Sequence, residues 1–210
     1  RSSSFHIPGD ILLYGDFEDS DVDGDFSEGT AWNQSESRYL ENSVVHLGTG
    51  AAVLLRKSSN SSSVSMSNYR DIPIPGGAKL TITGWIKRIN AGTFKLTTKI
   101  YDSDGDTLST TDRLTLSAGN NPNWTRFSVD FTASSSAADL EICFKQSPPA
   151  SGEGQVFLDD VSVIQWESKV SDAKAGFSLP TPNNYSFLRF TGASGSTLAV
   201  SLTHRSYTAL

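Results

Sequence analysis

The chain has 210 residues, 37% of which are hydrophobic, and a formal net charge of -6 at pH 7. This negative charge argues against a nucleic-acid partner, because phosphates require a basic surface. A membrane role is also not expected, because no apolar run approaches the roughly 20 residues that a spanning helix needs. The length suits one large β-domain or a domain with an appendage.

The first informative element is the sequence Gly-Asp-Phe-Glu at residues 15–18, and its counterpart is the apolar run at residues 155–163, which contains Asp159 and Asp160. Both are strand-like fragments that carry carboxylates, which a sheet interior does not tolerate without partners. Carboxylate and carbonyl oxygens are the ligands that a hard cation needs. We therefore predict that the two ends of one domain meet around a cation.

Between these ends, apolar and polar residues alternate with a period of two. This pattern predicts strands over 79–87, 93–101, 126–131, 140–145 and 156–164. Clusters of turn residues separate them at 74–77, 102–106, 119–122 and 147–152. In the second of these strands the predicted core face consists of Phe94, Leu96, Thr98 and Ile100. Short alternating strands at this spacing indicate an all-β fold, an antiparallel two-sheet β-sandwich with almost no helix.

The opposite side of these strands has the composition of a sugar-binding surface. Sugar rings stack on aromatic side chains, and their hydroxyls need planar polar partners. We predict one open face that binds glycan through Trp85, Lys99, Tyr101, Arg126 and Glu141. The alternative for each aromatic residue is a place in the core. Trp32, in a loop, either caps the sandwich or reaches a ligand from the rim.

Catalysis has little support in the sequence. The three histidines lie far apart, and no nucleophile elbow, paired-histidine metal motif or phosphate-binding glycine loop is present. Only Glu141 is well placed on the predicted face, whereas a glycosidase needs two carboxylates. A jelly-roll polysaccharide lyase is the remaining enzymatic alternative, since Tyr101, Lys99 and Arg126 could imitate its active site. We predict that the chain is not an enzyme.

An ordered set of motifs carries a family resemblance. The set consists of residues 15–18, Trp32, residues 48–54, the 74–77 turn leading into 80–87, residues 124–127 and residues 157–163. Over about residues 10–166 the chain resembles carbohydrate-binding modules of families four, nine and twenty-two, within the galactose-binding-like jelly rolls. The resemblance implies a jelly-roll sandwich with a structural calcium ion, appended to a secreted glycoside hydrolase or another surface protein. It also implies an extracellular or cell-surface location, and a tryptophan matching Trp85 in the binding cleft.

The resemblance further implies the calcium ligands. Glu18 and one carboxylate of the Asp159 and Asp160 pair hold the ion, and backbone oxygens of Asp16 and of the turn containing Gly48 and Thr49 complete its shell. Asp159 is favoured over Asp160, because alternation puts it beside Phe157 and Val161 on the inward side of the last strand. The alternative is that these residues are solvated acids at strand ends.

Two further segments remain beside this core. Residues 19–25 alternate acids around a glycine as in an EF-hand loop, but Thr30 stands where the bidentate glutamate should be, so a solvated loop is favoured over a second calcium site. We assign residues 1–166 to the jelly-roll domain and 167–210 to a linker and a C-terminal β-hairpin extension. An isolated hairpin is marginal in water, so we expect the extension to contact a neighbouring domain or subunit. A structural or adhesive module of a surface, fibre or capsid-like assembly is therefore the alternative function.

Overall fold

The computed structural model describes residues 10–12, 15–18, 32–33, 35–68 and 72–166. Within these ranges the chain forms ten strands: β1 (Arg38–Glu41), β2 (Ala51–Lys57), β3 (Val64–Ser67), β4 (Ile72–Pro73), β5 (Lys79–Ala91), β6 (Phe94–Tyr101), β7 (Thr107–Leu116), β8 (Gly119–Thr132), β9 (Asp139–Gln146) and β10 (Glu153–Trp166). In this part of the chain no helix is long and apolar enough to cross a membrane.

The strands form two sheets. Sheet I has the order β1-β2-β10-β5-β8, and sheet II has the order β3-β9-β6-β7, with β4 also pairing with β9. Every strand pair is antiparallel. The predicted all-β, antiparallel two-sheet sandwich is therefore confirmed.

The alternating pattern identifies the core correctly. In β6, Phe94, Leu96, Thr98 and Ile100 are buried and the residues between them are partly exposed. The inward residues of β5, β9 and β10 join them in one hydrophobic cluster that fills the space between the sheets: Leu80, Ile82, Ile86, Leu140, Ile142, Phe144, Val156, Leu158, Val161 and Val163.

The prediction is wrong at residues 119–122, which begin strand β8 instead of forming a turn. Pro122 is tolerated there because β8 is the edge strand of sheet I and pairs only with β5. Strands β1 to β4 and β7 were not predicted. β7 is an edge strand with mostly polar side chains, so it lacks an apolar alternation.

The two ends of the sandwich meet as predicted. The amide of Ile11 donates to the carbonyl of Val163 (2.8 Å), and the amide of Val161 donates to the carbonyl of Gly15 (2.7 Å). The amide of Val163 also donates to the carboxylate of Asp10 (2.9 Å). The segments at 10–12 and 15–18 therefore bind along β10, and we call this pairing the terminal junction.

Residues 19–25 and 167–210 lie outside the described residues. The second calcium site, the division at residue 166 and the C-terminal hairpin therefore stay predictions.

The side of the sandwich between the edge strands β7 and β8 is closed by Arg113. The register between β6 and β7 shifts next to it, and its Nε donates to the buried Thr98 hydroxyl (2.8 Å). Its guanidinium also lies over the ring of Phe131 on β8, 4.2 Å from the centroid. One side chain thus joins both sheets through a hydrogen bond and a cation–π contact.

We expect Arg113→Met to lower the free energy of unfolding by about 1–2 kcal/mol, because it removes both contacts and keeps an apolar stem. Urea unfolding followed by tryptophan fluorescence measures this change. Arg56→Met is the matched control, since Arg56 bonds only to the exposed Ser62 in the described contacts. Equal stabilities of the two variants would contradict the role of Arg113.

Candidate functional site

The loop at residues 42–50, between β1 and β2, lies on the outer face of sheet I. The His46 ring stacks on Trp85 with centroids 4.0 Å apart and an interplanar angle of 19°, and it meets Trp124 edge-on at 5.7 Å. Trp124 also donates its indole N–H to the carbonyl of Val45 (3.1 Å). The face of Trp85 that stacks on His46 is therefore covered by the protein's own loop.

An acid of β10 lies under this loop, next to a bulge in the strand. The register between β10 and β5 shifts between Asp159 and Ser162, and Asp160 has a φ of 48°. Before the bulge, Asp159 pairs with Trp85 on the outer face, while Val161 after it is in the core cluster. Asp159 does lie on the same side of β10 as Phe157, but that side is the outer face, so its predicted inward position is wrong. Val161 lies on the opposite, inward side, because simple alternation does not continue through the bulge.

Asp159 is completely buried beneath the loop and is bonded by backbone amides. Its Oδ2 accepts from the amides of His46 (2.7 Å) and Leu47 (3.2 Å), and its Oδ1 accepts from the amide of Asp160 (2.8 Å). Burial raises the pKa of Asp159 to about 7 despite these bonds. The carboxyl group thus holds the loop in place, although burial disfavours its charged form.

Glu18 holds the other end of the same loop. Its carboxylate accepts from the amide of Thr49 (3.0 Å) and from the Thr49 hydroxyl. Gly48 has a φ of +71°, and a Cβ there would lie 1.7 Å from Glu18 Oε1. Only glycine combines this backbone conformation with such a close carboxylate.

Asp16 and Asp160 complete a group of acids that we call the acid cluster, consisting of Asp16, Glu18, Asp159 and Asp160. Burial raises the pKa of Asp16, and the negative charges of Glu18 and Asp160 raise it further. His46 Nδ1 lies 2.7 Å from Asp160 Oδ2. The structure therefore brings the six predicted metal ligands, including Gly48 and Thr49, to one edge of the sandwich.

The acid cluster fits a cation by its charge more than by its present geometry. His46 is the one ionisable base that the described contacts bring to these four acids. Several of the carboxylate oxygens, however, point at amides of the 46–49 loop. Among the residues that the structure describes, no three His, Cys, Asp or Glu side chains are arranged as a metal site.

A different polar network lies on the outer face of sheet II. The Tyr101 hydroxyl donates to Glu141 Oε2 (2.6 Å), and Lys99 Nζ bonds to both oxygens of the same carboxylate (3.0 and 3.1 Å). Burial alone would raise the pKa of Glu141, but the hydrogen bonds from Tyr101 and Lys99 outweigh it and lower the pKa. We call Lys99, Tyr101 and Glu141 the β6–β9 triad.

The predicted single glycan face is therefore wrong. Trp85 and Arg126 lie opposite each other on sheet I, whereas the triad lies on sheet II. Arg126 is exposed and donates from Nε to the Thr83 hydroxyl (3.2 Å). Alternation separates core from outer residues, but a sandwich has two outer faces, and the pattern does not say to which sheet a strand belongs.

Of the two alternatives for Trp32, contact with a ligand from the rim is wrong, because its side chain has no exposed surface. Its ring lies between Phe17, at a centroid distance of 5.2 Å, and Phe144, at 5.7 Å. Trp32 packs in the core beside the terminal junction.

Sequence reasoning did not predict that His46 and Trp124 hold the 42–50 loop over Trp85 on sheet I. No local motif marks these residues, because their contacts join a loop to strands that are distant in sequence. The available signal was the position of His46 near the turn that the family resemblance assigns to calcium.

No protein-family model and no curated protein matches the chain significantly. Solved structures do match. The chain is similar to the enzymatically active domain of tailspike protein 4 of bacteriophage CBA120, with a TM-score of 0.57 and 14% identity over 75% of this chain. It spans only 22% of that tailspike chain.

Several carbohydrate-binding modules match along nearly their whole length, and two of them illustrate the similarity. One is TmCBM61 in complex with beta-1,4-galactotriose, with a TM-score of 0.51 and 16% identity over 75% of this chain and 99% of the module. The other is the CBM22-1 xylan-binding domain from Paenibacillus barcinonensis, with a TM-score of 0.50 and 15% identity over 78% of this chain and 99% of the module. At these identities the similarity shows the jelly-roll fold.

We expect Asp159→Ala to lower the free energy of unfolding by about 2–3 kcal/mol, because three amides lose their buried acceptor. Asp159→Asn keeps one acceptor oxygen, so its loss should be less than half as large. Urea unfolding at pH 7 with a chelator present measures both losses free of any metal effect.

Asp104→Ala is the matched control, since Asp104 is an exposed residue of the β6–β7 turn. It should change the stability by less than about 0.5 kcal/mol. If Asp159→Ala were as stable as this control, the carboxylate would not hold the loop.

Proposed function

We propose that the chain is a non-catalytic glycan-binding module whose ligand lies on the outer face of sheet II. The observation that carries this proposal is the β6–β9 triad. Its tyrosine, lysine and glutamate are partly exposed on neighbouring central strands and bonded to one another.

The triad supplies what a sugar ring needs. The hydrogen bond from the Tyr101 hydroxyl to Glu141 fixes that end of the side chain, so the exposed part of the tyrosine ring offers a rigid apolar surface for stacking. Lys99 and Glu141 offer charged donors and acceptors to sugar hydroxyls, and bonds to charged groups are the stronger ones. Little conformational entropy is then lost on binding, because the side chains are already held in place.

Sheet I is a poorer binding surface. His46 stacks on Trp85, and Trp124 holds the loop that carries His46. Sugar binding on that ring face would first have to displace the loop, together with its hydrogen bonds to Asp159.

The lowered pKa of Glu141 supports binding without catalysis. A glycosidase general acid has a raised pKa, whereas the hydrogen bonds of Tyr101 and Lys99 lower the pKa of Glu141. The lyase alternative is also weakened, because Arg126 lies on the other sheet from Tyr101 and Lys99.

The names of the structural neighbours agree with this proposal. One was solved with a galactotriose, and another is described as a xylan-binding domain. We propose that this chain likewise belongs with carbohydrate-binding modules of the family four, nine and twenty-two type, in a secreted or surface protein. The alternative of an assembly scaffold depended on contacts through 167–210, outside the described residues.

Affinity electrophoresis in gels that contain single neutral or acidic polysaccharides tests the binding proposal. At least one polysaccharide should retard the chain, and Tyr101→Ala and Glu141→Gln should each weaken that binding about tenfold or more, because stacking or a charged contact is lost.

Tyr39→Ala is the matched control, because Tyr39 is a partly exposed tyrosine on β1 of sheet I. Its binding should equal that of the unaltered chain. If Tyr39→Ala lost binding and Tyr101→Ala kept it, the ligand would lie on sheet I and the proposal would be wrong.

We further propose that the acid cluster binds a structural calcium ion. Glu18 and one carboxylate of the Asp159 and Asp160 pair would supply carboxylate oxygens, and Asp16, Gly48 and Thr49 would supply backbone oxygens. The support is the gathering of four acids at one edge of the sandwich. Burial raises the pKa of Asp16, and the negative charges of Glu18 and Asp160 add to this effect. A divalent ion would relieve this repulsion.

We expect calcium to raise the melting temperature of the chain by roughly 5–10 °C at a hundredfold excess over Kd, because ligand binding to the folded state adds about 2.7 kcal/mol. Scanning calorimetry in calcium chloride and in chelator measures the shift. Glu18→Gln should reduce it, whereas the control Asp104→Asn should not. Identical melting temperatures in both buffers would exclude the calcium proposal and leave the glycan proposal intact.

A further inference from the structure

Two lysines face each other across the central strands of sheet II. Lys95 on β6 is in register with Lys145 on β9, and both lie on the same face as the β6–β9 triad. Ser65 on β3 and Thr115 on β7 extend this row on either side. We call the pair Lys95 and Lys145 the lysine rung.

The two lysines differ in their partners. Lys95 Nζ forms an ion pair with Asp112, which also accepts a bond from the Thr97 hydroxyl (2.7 Å). The side chain of Lys145 is exposed, and no hydrogen bond or ion pair of its ammonium group occurs among the described contacts. The pKa of Asp112 is lowered mainly by its bonds to Lys95 and Thr97, and the charge of Lys145 adds to this effect. Two positive charges therefore share one carboxylate.

The usual structural reason for such lysines does not apply here. Lysine often protects an edge strand from pairing with another chain. However, β9 lies between β3 and β6, and β6 lies between β9 and β7, so neither is an edge. Like charges directly opposite each other destabilise a sheet. In a chain with a net charge of -6, a bound anion would compensate this local excess of positive charge.

We propose that the lysine rung binds a carboxylate of an acidic glycan, so that the ligand of sheet II is a polysaccharide containing uronic acid. This inference rests on the proposed glycan-binding function. The rung lies four residues along the strands from Lys99 and Glu141 and six from Tyr101, separations of about 13 and 20 Å. An oligosaccharide of several sugar units can therefore stack on Tyr101 and place a carboxylate between Lys95 and Lys145.

The test compares charged and uncharged forms of the same polymer. The full chain is run by affinity electrophoresis in polygalacturonate, alginate or glucuronoxylan, and in the carboxyl-reduced form of each. At least one acidic polymer should bind about tenfold or more tightly than its reduced form. Lys145→Gln should remove most of that difference and leave the affinity for the reduced form unchanged.

Two controls separate charge from position and carboxylate from other anions. Lys57→Gln makes the same charge change at an exposed residue of sheet I and should bind as the unaltered chain does. Dextran sulfate carries charge without carboxylates and should bind more weakly than the acidic polymer.

The possible failures are distinguishable. If an acidic polymer and its reduced form bind equally, and Lys145→Gln changes neither, the lysine rung is not a carboxylate site but the glycan proposal stands. Equal binding of dextran sulfate would overturn the carboxylate assignment. If no polymer of either kind binds, the proposed function itself is wrong.

Discussion

The fold and its candidate sites depend on one arrangement, the buried carboxylate of Asp159 at the terminal junction. A completely buried acid is costly unless donors surround it. Here Asp159, on the outer face just before the bulge in β10, accepts from the amides of His46 and Leu47, while Glu18 from the N-terminal segment binds Thr49 in the same loop. The first segment, the last strand and the β1–β2 loop are therefore held together by carboxylate–amide hydrogen bonds and by the backbone pairing beside them.

This arrangement determines which face of the sandwich is open. The loop that Asp159 holds also carries His46, whose ring covers Trp85, and Trp124 fixes the loop from the neighbouring edge strand. The outer face of sheet I around Trp85 is thereby occupied by the protein's own loop. The central strands of sheet II instead expose Tyr101, Glu141 and the lysines. The attachment point of the loop thus determines that sheet I is covered at Trp85 while the central strands of sheet II are left open.

Much of this organisation could be predicted from the sequence. Alternation identified the core residues of β6, such as Phe94 and Ile100, and the acids at 15–18 and 159–160 predicted that the chain ends meet. Alternation could not assign strands to sheets, so Trp85 and Tyr101 were placed on one face. It also failed at the bulge, which puts Val161 on the opposite side from Asp159, and at Trp32, whose burial depends on contacts with Phe17 and Phe144. These errors share a cause, because neither long-range packing nor a local backbone irregularity appears in the alternation of apolar and polar residues along the sequence.

The most direct test is a map of chemical-shift changes in the amide and indole NMR spectrum during titration with an oligosaccharide. The oligosaccharide comes from whichever polysaccharide retards the chain. We predict that the amides of 99–101 and 141–145 shift, while the indole signals of Trp85 and Trp124 stay unchanged. Shifts confined to those indoles and the 42–50 loop, with β6 and β9 unaffected, would contradict the assignment of glycan binding to sheet II.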